Sequence, residues 1–337
     1  MKKVDFEAHF WTKDYVKTLA TVKNYPKFEV QVETGIHRLW WTSHVVMPHP
    51  DSLLNKKLDL GEGRLKDMEA SGVSVHVLSL SAPGCEQFEA SIGTIIAKKA
   101  NDEVSRIVEK HPDKYVGFAA LAPQSPGEAA DELERAVKEL GLKGWKTHSN
   151  ICGTYLDYER YWIILDKAER LNVPIYIHPT VPAIEALQTY GFSLAGPTLG
   201  FHFETALCAM RLILSGALDK YPNLKLILGH LGESIPFFLN RIDLGYAVAS
   251  SNVNVKLAKK PSDYVKNNMF VASSGTFQQP VLMCTYQVIG PYKMLFATDY
   301  PYEDSEEAVN RIEALPIPEE HKEQIYHLNA ENLLQLE

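Results

Sequence analysis

Near its start the chain reads "VDFEAHFW", with Glu7 and His9 one residue apart at the end of a short apolar run. In a strand, residues i and i+2 project from the same face, so both side chains would look into one space. A carboxylate and an imidazole aimed together can bind a divalent cation; two polar residues closing a strand near the surface would read the same way. The pattern recurs further on. One run ends in "KTHSN" with His148, one in "PIYIHP" with His178, and one in "LILGHLGE" with His230 and Glu233; another ends in "LFATDYPYE" with Asp299, and another at Ser79–Ser81. Taken singly, His178 could be a satisfied structural histidine, His230 a loop residue and Asp299 a turn residue or cap. Burying an unpaired imidazole or carboxylate costs several kcal/mol, so packing gives such residues no reason to recur at strand ends. Together they point to a divalent metal site of nitrogen and oxygen ligands, with Zn(II) or Mn(II) as the ion.

The spacing His230-Leu231-Gly232-Glu233 adds a second chemistry. If a helix starts near Gly232, Glu233 can reach back to the imidazole, fix its tautomer and raise its pKa. A glutamate that only complements the helix dipole is the plainer alternative. Arg241, in "FFLNRID", is a candidate clamp for an acidic substrate, or else a surface ion-pair residue.

These residues need a frame that brings them together. Eight short apolar runs stand out: Lys3–Phe6, Val73–Leu80, Tyr115–Ala120, Leu142–Thr147, Pro174–Ile177, Leu224–Leu228, Met269–Ala272 and Met294–Ala297. Helical patterns fill most gaps, over Ile92–Lys110, Pro126–Leu140, Tyr158–Asn172, Phe203–Lys220, Glu233–Ala247 and Gln279–Ile289. Strand and helix in alternation predict a parallel sheet wrapped by helices, and eight strands suit a closed (β/α)8 barrel better than an open sheet. Long insertions interrupt the alternation after strand one (about Trp11 to Lys57) and strand five (about Thr180 to Gly200). Both leave the C-terminal ends of strands, where barrels build active sites. The first carries Arg38, Trp40, Trp41 and His44, and its aromatics argue against a disordered linker.

The whole span, 337 residues at 45% hydrophobic and 23% charged, is expected to form one barrel domain. A net charge of −8 without a basic run speaks against nucleic acid and anionic membranes as partners. Four scattered cysteines suit a reducing cytoplasm, and neither a membrane span nor a signal peptide is expected.

The motifs "EAHF", "YIHP", "ILGHLGE", "NRID" and "FATDYPYE", in this order, resemble the amidohydrolase-related metal-dependent decarboxylases. Within that group the chain is similar to the γ-resorcylate, 2,3-dihydroxybenzoate and 5-carboxyvanillate decarboxylases, including "ANDEVSRIVEKHPDKYVGFAALAPQSP" and "YPNLKLILGHLGE". The resemblance implies a (β/α)8 barrel with one divalent metal on Glu7, His9, His178 and Asp299. It implies His230 paired with Glu233 for acid–base work, and Arg241 on the substrate carboxylate. A homodimer or homotetramer is implied as well. Ser81 and His148 complete the expected substrate contacts. His148 stands where these decarboxylases tend to carry asparagine. Lys146 beside it is similar to the bridging lysine of binuclear amidohydrolases, which leaves a second metal open.

The expected reaction is non-oxidative decarboxylation of a hydroxylated aromatic acid, with Asp299 as proton donor and His230–Glu233 as relay or alternative donor. The rivals are hydrolysis of an amide, lactone or ester on the same site, and a non-catalytic metal- or ligand-binding barrel. Glu7-Ala8-His9, in place of the usual His-x-His of strand one, favours decarboxylation.

Overall fold

The computed structural model describes residues 1–249 and 256–336. Its eight parallel strands are β1 (Val4–Phe10), β2 (Val75–Leu80), β3 (Tyr115–Gly117), β4 (Trp145–His148), β5 (Ile175–His178), β6 (Leu226–Leu228), β7 (Met269–Ala272) and β8 (Met294–Leu295). They pair as one ladder of three, β1-β2-β3, and one of five, β4 to β8. Two single parallel bridges complete the ring, Ala119 with Trp145 between β3 and β4, and Ala8 with Tyr300 between β1 and the segment after β8. At the second seam the Phe6 N–H donates to Phe296 O at 2.9 Å and the His9 N–H to Tyr300 O at 2.8 Å. The fold is the TIM barrel expected from the alternation, and each expected run overlaps one strand.

Side-chain alternation divides the barrel interior into layers. Phe6, Val77, Phe118, Ile227, Ala272 and Leu295 belong to one apolar interior cluster. Phe6 and Phe118 meet edge to face at 5.6 Å, an arrangement worth roughly 0.5–1.5 kcal/mol beyond burial. On β5, Tyr176 joins this cluster while Ile175 and Ile177 face the surrounding helices, so His178 continues the inward row. By the same alternation β4 turns Lys146 and His148 inward.

Strand β1 needs an extra device. Phe6 is in the interior cluster and Ala8 in the outer one, yet Glu7 and His9 also face inward. The pairing with β2 shifts register between Asp5 and Ala8, so a β-bulge inserts one residue and resets the phase. The Glu7 N–H at the bulge donates to Asp5 Oδ1 at 3.0 Å. Asp5 also accepts from the Thr298 N–H at 3.0 Å and its hydroxyl at 2.6 Å, tying β1 to the Asp299 segment.

The helices follow their periodicity. Ala90–Lys110 buries Gly93, Ile96, Ala97, Ala100 and Val104, the spacing of one helical face. The single helix expected over Phe203–Lys220 is two, Gly200–Leu214 and Ala217–Lys220, because Gly216 between them takes φ 81°. The first insertion is more ordered than a loop. It comprises helix Lys13–Thr21, an antiparallel sheet of Lys27–Glu29, Ile36–Trp40 and Val46–Pro50, and helix Asp51–Leu58. The second holds only a 3-10 turn, Glu185–Gln188, and the short helix Phe192–Ala195. Among the described residues no helix is long and apolar enough to cross a membrane.

Candidate active site

Glu7, His9, His178 and Asp299 converge at the C-terminal mouth, with one ligand atom from each lying within 4.8 Å of all the others. Nε2 of His9 lies 2.7 Å from Asp299 Oδ1, and Nε2 of His178 lies 3.2 Å from Glu7 Oε1. His178 Nδ1 donates to Pro179 O at 2.8 Å, so its proton sits there and the Nε2 lone pair faces the site. Glu7 Oε1 is buried and has no hydrogen-bond partner, although Nε2 of His178, His9 and His230 surround it at 3.2, 3.8 and 3.9 Å. A carboxylate oxygen facing an imidazole lone pair is repulsive until a cation lies between them. The donor set therefore fits one divalent cation of the zinc or manganese type.

The electrostatics agree. Burial, helped by the Lys146 charge, holds the His9 imidazole well below its usual range and His178 down to about 3, so both stay neutral as ligands must be. Burial would raise Glu7, but the charge on the facing His230, with a hydrogen bond from Ser274, overrides it and keeps the carboxylate ionised. Burial and then the Glu7 charge push Asp299 well above the usual carboxyl range. A bound cation would draw it back down.

His230 sits above this cluster on strained backbone. His230, Leu231, Gly232, Glu233 and Ser234 all have positive φ, from 48° to 78°, and Asp299 has φ 54°. Each such non-glycine residue costs roughly 1–3 kcal/mol and persists only where its surroundings dictate it. The turn precedes helix Ile235–Ala249, so Glu233 is not in that helix's first turn as the sequence reading expected. The pairing is present all the same, with His230 Nδ1 2.7 Å from Glu233 Oε1. Burial opposes protonation of His230, but Glu233 and then Glu7 outweigh it and hold its pKa well above normal. Space here admits no side chain at two glycines. A Cβ on Gly229 would lie 2.8 Å from the Tyr176 hydroxyl, and one on Gly275 2.5 Å from the His230 ring.

A cavity of about 280 Å³ opens over the cluster, walled by Trp41, Met47, Phe192 and Phe201, with Ser81, His202, Tyr302 and Glu303 as polar groups. Ser81 is thus where the strand-end reading put it, its Oγ 3.0 Å from the Tyr302 hydroxyl. Two expected contacts do not line this chain's cavity. His148 is buried behind His178, with Nδ1 3.0 Å from Glu86 Oε2, and does not line the cavity. Arg241 is exposed and away from the cavity, because Ile235 and Leu239 face the barrel and Arg241 lies roughly 200° round the helix from Leu239.

Nor does Lys146 stand beside a second metal group. Its Nζ is 2.8 Å from His9 Nδ1, burial brings its pKa to about 7, and the four-residue cluster is the one such group among the described residues. The sequence reading missed Lys57, fully buried with Nζ 3.0 Å from the Tyr302 hydroxyl, and it missed His202. His202 ends no strand, and its only signal is an imidazole in the opening turn of a largely apolar helix.

Comparison with known proteins places the chain in a family. The Amidohydrolase family model matches residues 4–336. The γ-resorcylate decarboxylase of Polaromonas sp. is 36% identical over 84% of this chain and 90% of its own. The 5-carboxyvanillate decarboxylase of Sphingomonas paucimobilis superposes with TM-score 0.89 at 30% identity, covering 100% of this chain and 99% of that one. A dihydroxybenzoic acid decarboxylase from Polaromonas sp., solved with manganese and the inhibitor 2-nitroresorcinol, superposes with TM-score 0.85 at 33% identity over 99% and 97%.

Proposed function

The chain belongs to the amidohydrolase family, and from that premise we propose that it is a metal-dependent decarboxylase of a hydroxylated aromatic carboxylic acid. The observation that carries this reading is the partnerless Glu7 Oε1 ringed by three imidazole nitrogens beneath an aromatic cavity. At about 280 Å³ the cavity is near the lower end of ligand pockets, roughly 300–1,000 Å³, and suits a single-ring acid.

Glu7, His9, His178 and Asp299 would hold the cation, which when bound supplies Lewis acidity for the substrate's carboxylate and neighbouring phenol oxygens. Trp41, Phe192 and Phe201 sandwich the ring and exclude water. Asp299 delivers a proton to the ring carbon that bears the carboxylate. The carbon–carbon bond then breaks, its electrons return to the ring, and CO2 leaves. His230, held protonated by Glu233, returns a proton to Asp299 or donates in its place.

The span 1–337 acts as one barrel domain in this reading. Phe237, Phe238, Leu244 and Val248, exposed along the helix that carries Arg241, support a homodimer or homotetramer built over that face. Four unpaired cysteines support a cytoplasmic location.

The test is metal content of the purified protein together with CO2 release from hydroxybenzoates. About one manganese or zinc per chain and CO2 from an ortho-hydroxylated acid is the expected result. Bound metal without CO2 from any of them would overturn decarboxylation in favour of hydrolysis.

A further inference from the structure

Three imidazoles line the cavity, and two of them, His178 and His230, turn Nε2 toward Glu7 Oε1. The third, His202, does not. It is the third residue of helix Gly200–Leu214, and its Nδ1 lies 2.8 Å from Glu233 Oε2. Glu233 is buried, and its other oxygen is taken by His230. A buried carboxylate with two imidazole neighbours can only accept, so His202 carries its proton on Nδ1. That leaves Nε2 as the ring's other nitrogen, and among the described residues no hydrogen bond satisfies it. The side chain is 31% exposed and stands on the partition between the metal-facing cavity and a second one lined by Leu199, Phe203 and Phe237. The wall around it is otherwise mostly aromatic. Glu303 is the other polar group on that side, and one of its oxygens is held by the Gly275 N–H at 3.1 Å.

We infer that His202 is a specificity-determining residue whose Nε2 accepts a hydrogen bond from a second hydroxyl on the substrate ring. The inference rests on the decarboxylase reading and narrows its substrate class to dihydroxylated aromatic acids. An acid with only the metal-side hydroxyl leaves Nε2 facing apolar ring surface without a partner. Sites built around a hydrogen bond reject analogues that lack it. Because Glu233 backs the imidazole, the bond is charge-assisted and worth roughly 10- to 100-fold in discrimination.

The experiment uses manganese-loaded wild type, His202→Phe and His202→Gln. Steady-state kinetics compare salicylate with the isomeric dihydroxybenzoates, and titrations compare 2-nitroresorcinol with 2-nitrophenol, which lacks the second hydroxyl. His202→Phe is expected to lose roughly 10- to 100-fold more in kcat/KM on the best dihydroxy acid than on salicylate, mainly through KM. His202→Gln, whose amide oxygen reaches the same region, recovers part of the loss. Equal losses on both kinds of acid, or none on either, overturn the inference. If the wild type releases no CO2 from any acid, the decarboxylase reading fails on its own. The nitro pair still decides on His202: a preference for 2-nitroresorcinol that collapses in His202→Phe supports it, and an unchanged preference overturns it.

Discussion

His178 and His49 are the same side chain at nearly the same burial, 6% and 0% exposed, in surroundings of opposite kind. His178 lies at the barrel mouth, its Nδ1 fixed by a backbone carbonyl and its Nε2 aimed at Glu7. His49 lies in the small antiparallel sheet of the first insertion. Its ring stacks on Trp11 at 4.9 Å and 15°, Phe28 meets its edge, and neither nitrogen has a partner. Burial leads in holding both neutral, His178 down to about 3 and His49 to about 2. Loss of charge on burial therefore does not mark a site. What separates the two is the Glu7 carboxylate brought within reach across the barrel mouth by β1, together with a second bond that fixes which nitrogen faces it.

The sharpest test of that distinction is Asp299→Asn. An amide keeps the shape and one coordinating oxygen but cannot deliver a proton. Turnover is expected to fall at least 10³-fold, in line with the roughly 10²–10⁴-fold worth of a placed acid. Thermal stability and much of the metal content should persist. Activity within tenfold of wild type would remove Asp299 from proton transfer.

A smaller loss, roughly 10- to 100-fold, is expected from Glu233→Gln. Glu233 keeps His230 protonated to higher pH, so removing its charge lowers the His230 pKa. The alkaline limb of the kcat profile should then move to lower pH. If the rate falls without that movement, Glu233 only positions the ring.

The mouth was largely legible in the sequence because its residues obey strand geometry. Apolar runs end in polar residues, so Glu7, His9, His148, His178, His230 and Asp299 could be gathered at one mouth before any coordinates, and the resemblance to the decarboxylases implied which four of them hold the metal. The bulge that turns both Phe6 and Glu7 inward was not legible, since it depends on pairing with β2. That Arg241 and His148 lie off this chain's cavity was hidden for a related reason. Sequence places Arg241 on a helix without saying which side of that helix meets the barrel, and it cannot show that Glu86 draws His148 away from the cavity. Histidines in the first insertion read as richly as those at the mouth, and only packing against Trp11 and Phe28 tells His49 apart.

His49→Phe tests the quiet side of the comparison and should have the smallest effect. Phenylalanine keeps the stack on Trp11 and removes two buried nitrogens that have no partner. Folded His49 stays neutral down to about pH 2, whereas in the unfolded chain a histidine titrates near pH 6.5. Between those values the unfolded state binds more protons, so stability falls as pH falls below roughly 6.5. At pH 5 this amounts to at most roughly 2 kcal/mol, and somewhat less where water reaches the ring. In urea titrations the variant should match or exceed wild type at pH 7 and pull ahead by roughly 1–2 kcal/mol at pH 5. His178→Phe, in contrast, should lose the metal. Equal acid sensitivity in wild type and His49→Phe would mean that His49 takes up a proton inside the fold, and burial without a carboxylate would then be too weak to define the packing class.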